Sequence, residues 1–405
     1  MKSDKQSNTG TVIVPNLRHL RIFTAVSIIG SQHAAARSEG LTQPAISQAI
    51  TSVEALFGTV LFDRSKRGMH LNRAGVVVAT RVKRMLALLQ KMHARSGLGQ
   101  QSVFDNRLTM SHLKTLVAVT SNKGFTAAAR QLGLATPTVH RAARNLETVV
   151  NARLFERTAA GIEPTVLGED LARFAGLALR EIDAAFEDIN DLHGVASGQI
   201  SIGTMPLARS DILPDAIGDL CDLYSHASVA IQSAGYEALL RALRHAELDL
   251  IIGASRGVNL SADVTEIPLF EDSLSVFARA GHPLANVPNL SIKQLAEFPW
   301  IAPHTGTPTR TDFDRLFGKL DLPLGLISSS SLVVVRALLA RSDRLTLLSR
   351  RRILFEEQQG LLVELDISLP STARTICVTV RTDWQPTRLQ RTFLDLLKVR
   401  PKKNL

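Results

Sequence analysis

Two cysteines in 405 residues, Cys221 and Cys377, are too few to build a disulfide framework, which suits a reducing compartment. Both sit among apolar neighbours, which points to packing. A redox-sensing pair is the alternative, and it would require exposed thiols in electropositive surroundings. No uncharged apolar run approaches the roughly 18 residues of a membrane-spanning helix. The stretch Met1–Gly10 is polar and lacks the hydrophobic core of a signal peptide. The chain is therefore expected in the cytoplasm, without a membrane partner, and its first 15 residues read as a disordered tail. Glycine-rich phosphate loops, paired metal-ligand motifs and a nucleophile elbow are all missing, and His282 and His304 lack a spaced cysteine or carboxylate. No catalytic residue, metal or cofactor is expected.

What the sequence does contain is a repeat. Residues 17–75 and 110–168 align without a gap at an offset of 93 positions. Leu20 meets Leu113, Ala34-Ala35-Ala36-Arg37 meets Ala127-Ala128-Ala129-Arg130, and Gly40-Leu41 meets Gly133-Leu134. Pro44 meets Pro137, Glu54 meets Glu147, Leu61-Phe62 meets Leu154-Phe155, Arg64 meets Arg157 and Gly75 meets Gly168. A single register held over a whole module marks a duplication rather than chance.

Each copy has the logic of a helix-turn-helix. In the second, Phe125–Leu132 carries apolar and small residues at helical spacing, and Gly133 ends that helix as a residue tolerant of positive φ should. Thr136 is expected to cap the next helix, with Pro137 in its first turn, where the missing N–H costs nothing. The first copy repeats the plan with His33–Glu39, Gly40-Leu41, the cap Thr42, Pro44, and a helix to about Phe57. The second helix of such a pair can present its N-terminal side chains to base edges in a major groove. Residues 61–64 and Leu71 then suggest two short strands joined by a basic wing, Ser65-Lys66-Arg67-Gly68.

The run Leu41-Thr42-Gln43-Pro44-Ala45-Ile46-Ser47-Gln48-Ala49-Ile50, followed by Glu54, Gly58, Leu61-Phe62-Asp63-Arg64, Arg67-Gly68, Leu71 and Ala74-Gly75, resembles the signature of the LysR-type transcriptional regulators. The second winged module departs from the usual member, which has one.

Charge separates the copies. Residues 1–100 hold 14 Lys+Arg against 4 Asp+Glu, whereas residues 101–194 hold 10 against 11. The first excess is the footprint expected of a phosphate-binding face. Where copy one has Lys66 and Arg67, copy two has Ala159-Ala160, and it ends in the acidic run Glu187, Asp188, Asp191. It nonetheless carries Arg141 and Arg144 on its second helix, and arginine commonly reads guanine. Copy two is either a second reader or a decayed copy retained for packing and dimerisation.

The expected order is a tail (1–15), a first winged module with its connecting helix (16–95), a flexible Gly/Gln/Ser-rich linker (96–107), a second winged module (108–167), a linker helix (168–194) and an effector-binding domain (195–400). On the linker helix Leu171, Phe174, Ala178, Ile182, Ala185, Ile189 and Leu192 recur at threes and fours, a coiled-coil-like seam that the family resemblance assigns to dimerisation. From Gly198 strands and helices alternate: strands at 199–203, 228–232 and 248–253, then 270–278, 299–302 and 324–327 in a second lobe, towards which 376–380 returns. Such alternation predicts a mostly parallel sheet with helices on both faces. The order, with landmarks Glu247–Gly253 and Arg279–Leu284, resembles the family's two-lobed α/β effector domain, shaped like a periplasmic solute-binding protein. The fold class is thus two α winged helix-turn-helix modules and a linker helix, then that α/β domain.

Ligands of open α/β sheets bind beyond the carboxyl ends of strands. Four segments meet that description, and they supply the candidate effector contacts Thr204, Met205, Leu207, Gly235, Tyr236, His304, Thr305, Thr307, Thr309, Arg310, Ser329 and Ser330. Hydroxyls and free N–H groups at helix starts favour an anionic or polyhydroxylated ligand, although each serine or threonine alone can be merely a cap. The candidate DNA contacts are Thr42, Gln43, Pro44, Ala45, Ser47, Gln48, Arg64, Lys66 and Arg67 in copy one, and Thr136, Arg141 and Arg144 in copy two. The expected partners are double-stranded promoter DNA, a small effector, RNA polymerase if the output is activation, and further copies in a dimer or tetramer. A free solute-binding protein is the remaining alternative and would need an export signal.

Overall fold

In the computed structural model the two copies fold alike, element by element. The first comprises α1 (Leu17–Ile29), α2 (Gln32–Glu39), α3 (Gln43–Phe57), β1 (Phe62–Ser65), β2 (Gly68–Leu71) and α4 (Arg73–Ser96). After α5 (Gln101–Arg107) the second comprises α6 (Met110–Asn122), α7 (Phe125–Leu132), α8 (Thr136–Val150), β3 (Phe155–Thr158), β4 (Gly161–Pro164) and α9 (Val166–Leu192). The structure describes residues 15–399 apart from 66–67, 98–100, 160, 206–211, 258–259, 319–324, 330 and 370–371.

The repeated residues do the same work twice. Gly40 and Gly133 end their helices at φ 63° and 64°, the left-handed conformation the tight turn requires. Glu54 and Glu147 each accept the backbone N–H at the start of the wing, from Leu61 and Leu154, both at 2.9 Å. Gly75 and Gly168 let the long helices start against those same residues. A Cβ there would lie 2.0 Å from the Leu61 carbonyl oxygen and 2.1 Å from that of Leu154.

Three expectations need correction. Residues 96–107 are not simply a flexible linker, because α5 occupies their second half, buries Phe104, and binds Arg21 of α1 through Asp105 at 2.9 Å. Thr136 is the first helical residue of α8, not its cap; the cap position is Ala135, which has no side-chain oxygen to offer. The apolar seam of α9 is already covered within the chain by α4 and α6. One continuous core therefore runs from Leu17 to Ile189 through both modules. The long pair is antiparallel: Arg81 meets Asp188, Arg84 meets Glu181 and Arg95 meets Asp170, partners receding along α9 as α4 advances.

The chain divides into two compact units, the helical one just described (to Ser197, plus Arg244–Glu247) and an α/β unit. The latter contains β5 (Ser197–Thr204), α10 (Ile212–Leu223), β6 (His226–Ser233), α11 (Tyr236–Arg244), β7 (Leu250–Ala254), β8 (Val264–Asp272), β9 (Leu274–Arg279), α12 (Ile292–Ala296) and β10 (Trp300–Ala302). It continues with α13 (Pro308–Phe317), β11 (Ile327–Ser328), α14 (Leu332–Leu339), β12 (Leu345–Ser349), α15 (Leu354–Gln358), β13 (Leu362–Glu364), β14 (Arg374–Arg381) and α16 (Arg388–Val399). Two five-stranded sheets form, in the orders β6-β5-β7-β14-β8 and β11-β10-β12-β9-β13.

The expected strand at 270–278 is two strands. The chain crosses from the first sheet to the second at Ser273, between β8 and β9, and β14 returns not to the second lobe but to the first sheet, between β7 and β8. Both crossings are tied down by Asp272, which is bound by Arg374 at 3.3 Å and by the Ser349 hydroxyl at 2.6 Å. The second lobe fills with Trp300, Phe313 and Phe317 in edge-to-face and tilted contacts, and the indole N–H donates to the Leu295 carbonyl.

Candidate nucleic-acid interface and effector site

On α3 one face is buried by Ile46, Ala49, Ile50 and Val53, which pack against Leu20, Phe23 and Val26 of α1 and the alanines of α2. The opposite face at the helix start exposes Thr42, Gln43, Pro44, Ala45 and Gln48, with Ser47 half-buried. Thr42 holds the N-cap position but makes no capping bond, so its hydroxyl is not used by its own helix. Lys66 and Arg67 lie outside the described residues, as does the side chain of Arg64.

The corresponding face of α8 exposes Pro137, Thr138, His140, Arg141 and Arg144, with Thr136 half-buried. His140 leans on the Phe125 ring at 4.7 Å, and Arg144 is held by Glu147 at 2.7 Å, a turn further along. Arg141 occupies the position equivalent to Gln48. Sequence reasoning overlooked Thr138 and His140, equivalents of Ala45 and Ser47, although the offset alone identifies them.

In the α/β unit the candidate effector segments follow strand ends. Thr204 is buried at the end of β5, its hydroxyl 2.9 Å from that of Ser233 at the end of β6. Met205 follows, its amide bound to the Ile252 carbonyl of β7. Gly235 is exposed and Tyr236 opens α11. Leu207 and Ser330 lie outside the described residues. In the second lobe Thr307 caps α13 and donates to the His304 carbonyl, and Thr305 is exposed. Thr309 accepts from Arg374 at 2.9 Å, and the Ser329 hydroxyl accepts from the Ser331 amide. Arg310 is already engaged: its Nε donates to Asp314 at 2.7 Å and its guanidinium lies 5.6 Å from the centre of the Phe313 ring.

Two cations at this site were not foreseen. Arg256 follows β7, a fifth strand end that the sequence reading passed over. Its guanidinium stacks 4.1 Å from the centre of the Tyr236 ring and 3.7 Å from the Met205 sulfur, and its buried Nε finds no acceptor among the described residues. Arg374 joins Asp272 to Thr309.

His282 and Cys377 have structural explanations. His282 accepts the Leu284 amide on Nδ1, and its Nε2 lies 3.3 Å from the Asp343 carbonyl; burial pushes its pKa down. Among the described residues no cluster of His, Cys, Asp and Glu is arranged to hold a metal. Burial, followed by the nearby Glu266, pushes the Cys377 thiol up to about 12, whereas Cys221 is exposed on α10, against the expectation that both thiols serve packing. A thiol so raised is not a sensor at neutral pH.

Two winged helix-turn-helix modules ahead of a two-lobed α/β unit define a ligand-responsive DNA-binding regulator, and the comparisons agree. The family model "Bacterial regulatory helix-turn-helix protein, lysR family" matches twice, at residues 17–76 and 110–169, and "LysR substrate binding domain" matches residues 193–401. The chain belongs to the LysR family of transcriptional regulators. It is 32% identical over 370 residues to the HTH-type transcriptional regulator GalR of Pseudomonas putida, covering 90% of this chain and 92% of that one. An alignment of that length takes in both modules. The regulator PcaQ of Agrobacterium fabrum is 29% identical over 70% of this chain and 91% of its own. A full-length OxyR variant of Pseudomonas aeruginosa shares the fold, with a TM-score of 0.57 at 21% identity, over 72% of this chain and 95% of that chain. No helix among the described residues is long and apolar enough to cross a membrane.

Proposed function

We propose that this regulator acts in the cytoplasm, reads its operator through the start of α3, and takes a small anionic or polyhydroxylated effector between the strand ends of its two lobes. Gln43, Ala45, Ser47 and Gln48 supply sequence choice, while Arg64, Lys66 and Arg67 hold phosphate. The effector contacts are drawn from Thr204, Met205, Leu207, Gly235 and Tyr236 in one lobe. His304, Thr305, Thr307, Thr309, Ser329 and Ser330 serve in the other, and Arg310 flanks them. An effector that fits one lobe arrangement better shifts the population towards it. RNA polymerase is the further partner wherever the output is activation.

The single observation that carries the anionic ligand is Arg256. A guanidinium held against Tyr236, with a buried Nε that finds no acceptor among the described residues, is suited to bind a carboxylate. The test has two arms. A DNase footprint on the DNA upstream of its own gene should show relaxed operator choice with Gln48→Ala, while Lys66→Ala with Arg67→Ala flattens the salt dependence of binding. Thermal-shift measurements against a panel of small carboxylates and sugars should give a stabilised protein, with Arg256→Met abolishing that response. An unchanged footprint in both DNA variants removes copy one as the reader, and stabilisation that survives Arg256→Met removes the anionic assignment.

A further inference from the structure

The α4–α9 pair has a symmetry that the repeat makes visible. Transposed by the 93-residue offset, Asp170, Glu181 and Asp188 are the α9 counterparts of Val77, Leu88 and Arg95. The observed pairs are then position 95 against position 77, 84 against 88, and 81 against both 88 and 95. All are centred near position 86 of the repeat. Two equivalent helices crossing antiparallel about one shared midpoint make an isologous contact, the geometry of a two-fold dimer. Here it is closed within one chain.

Charge shows that the pairing of unlike helices is built in. A pair of two α4 helices in this register would set Arg81 against Lys91 and Arg95. Two α9 helices would set Asp170 against Asp188. Only α4 with α9 brings Arg81 to Asp188 at 2.8 Å, Arg84 to Glu181 at 2.8 Å and Arg95 to Asp170 at 3.7 Å. Complementarity of this kind selects the mixed pair and penalises both like pairs.

We propose that each chain is a covalent pseudo-dimer carrying two DNA readers, α3 and α8, and that one chain spans two unlike half-sites. Each reader is fixed to its own long helix by the same core, glycine contact and glutamate bond, so the two-fold that exchanges α4 and α9 also exchanges α3 and α8. The half-sites are therefore inverted in orientation but different in sequence. Gln43, Ala45, Ser47 and Gln48 read one, and Thr136, Thr138, His140 and Arg141 read the other. Asp170, Glu181 and Asp188 of α9 are the mating surface for α4 rather than decay of a DNA-binding module. The proposal rests on the reading of the chain as an operator-binding regulator and adds to it the number and asymmetry of half-sites per chain.

The experiment selects binding sites for the full-length protein from random-sequence duplex DNA, then repeats the selection with Gln48→Ala and with Arg141→Ala. The proposal expects an asymmetric two-part motif, each variant relaxing base choice in a different half, by about fivefold or more. Mass photometry on the selected fragment should give one chain for every two half-sites. A short bismaleimide cross-linker on Arg95→Cys with Asp170→Cys, in a Cys221→Ser background, should yield a cross-linked single chain on a denaturing gel. A palindromic motif indifferent to Arg141→Ala, with two chains per pair of half-sites, overturns the proposal and leaves the regulator reading intact. Cross-linked dimers in place of single chains overturn the closure within one chain. Selection of no motif at all overturns the regulator reading and the proposal together.

Discussion

Replacing Arg81 by methionine tests how the two winged modules are held together. The Arg81 side chain is 7% exposed; its Nε meets Asp188 at 2.8 Å and its Nη1 meets Glu181 at 3.2 Å. Removing one member of a buried ion pair typically costs about 3–5 kcal/mol because the other charge is left desolvated. Two features reduce that figure. Glu181 keeps Arg84 at 2.8 Å, and Asp188 retains 21% of its side-chain exposure. The expected loss for Arg81→Met is therefore about 2 kcal/mol. The repeat supplies the compensating variant, since the counterparts of Arg81 and Glu181 are the apolar Phe174 and Leu88. A triple variant, Arg81→Met with Glu181→Leu and Asp188→Asn, should return to within about 1 kcal/mol of the parent, because it removes the buried charges together and leaves only Arg84, whose 27% exposure lets water take the place of Glu181. Urea unfolding by circular dichroism measures the change. Hydrogen exchange in peptides of α4 and α9 assigns it, since two compact units need not unfold together. A loss under about 0.5 kcal/mol for the single variant, or a triple variant no more stable than the single, would refute the account.

Thiol labelling of the native protein at pH 8 should modify Cys221 and spare Cys377, whose thiol is pushed up to about 12 and is only about one part in ten thousand thiolate. Comparable labelling rates would contradict that burial. His112, buried in α6 with a partnerless Nδ1 among the described residues, has its pKa lowered by burial from the ordinary 6.5. The unfolded chain then binds the proton more readily than the folded one. Stability is therefore present at neutral pH and lost as pH falls below about 6.5 through the folded value. His112→Leu should flatten that fall in pH-dependent urea midpoints, and an unaltered slope would count against it.

What could be read from the sequence was local. Helix ends, the glycine turns and the wing strands each depend on a few neighbouring residues, and the 93-residue register let one copy check the other. The family signature in copy one then marked the turn and the start of α3. What could not be read depended on which elements meet. Periodicity showed that α9 has an apolar face, from Leu171 to Ile189, but periodicity gives a face and not its occupant. The occupants are α4, some 90 positions earlier in the chain, and α6. The α5 helix escaped notice because its flanks are rich in glycine and glutamine and its anchors, buried Phe104 and the pair of Asp105 with Arg21, have no local pattern. In the α/β unit the continuous apolar texture from Phe270 to Ala278 hid a change of sheet at Ser273, which is fixed by the distant partners Ser349 and Arg374 of Asp272. Arg256 follows the strand end of β7, which is as legible in the sequence as the other four.

Charge summed along the chain has to be reconsidered in the same light. The excess of +10 in residues 1–100 and the −1 of residues 101–194 suggest one DNA-binding module and one that has lost the ability. Yet Arg21, Arg81, Arg84 and Arg95 of the first segment face Asp105, Asp170, Glu181 and Asp188 of the second, inside the helical unit. Setting aside those four cations and four acids leaves about +6 and +3, a positive remainder in both segments of the kind that phosphate would attract. The two segments differ in degree, not in sign. The consequence is measurable at Arg157, which is exposed on β3 at the position equivalent to Arg64. With a fragment carrying the full operator, Arg157→Ala should lower the slope of log affinity against log salt by about 0.9, the value of one phosphate no longer neutralised. A slope identical to the parent's would mean that the second module's positive remainder never meets DNA, and that its likeness to the first is confined to packing.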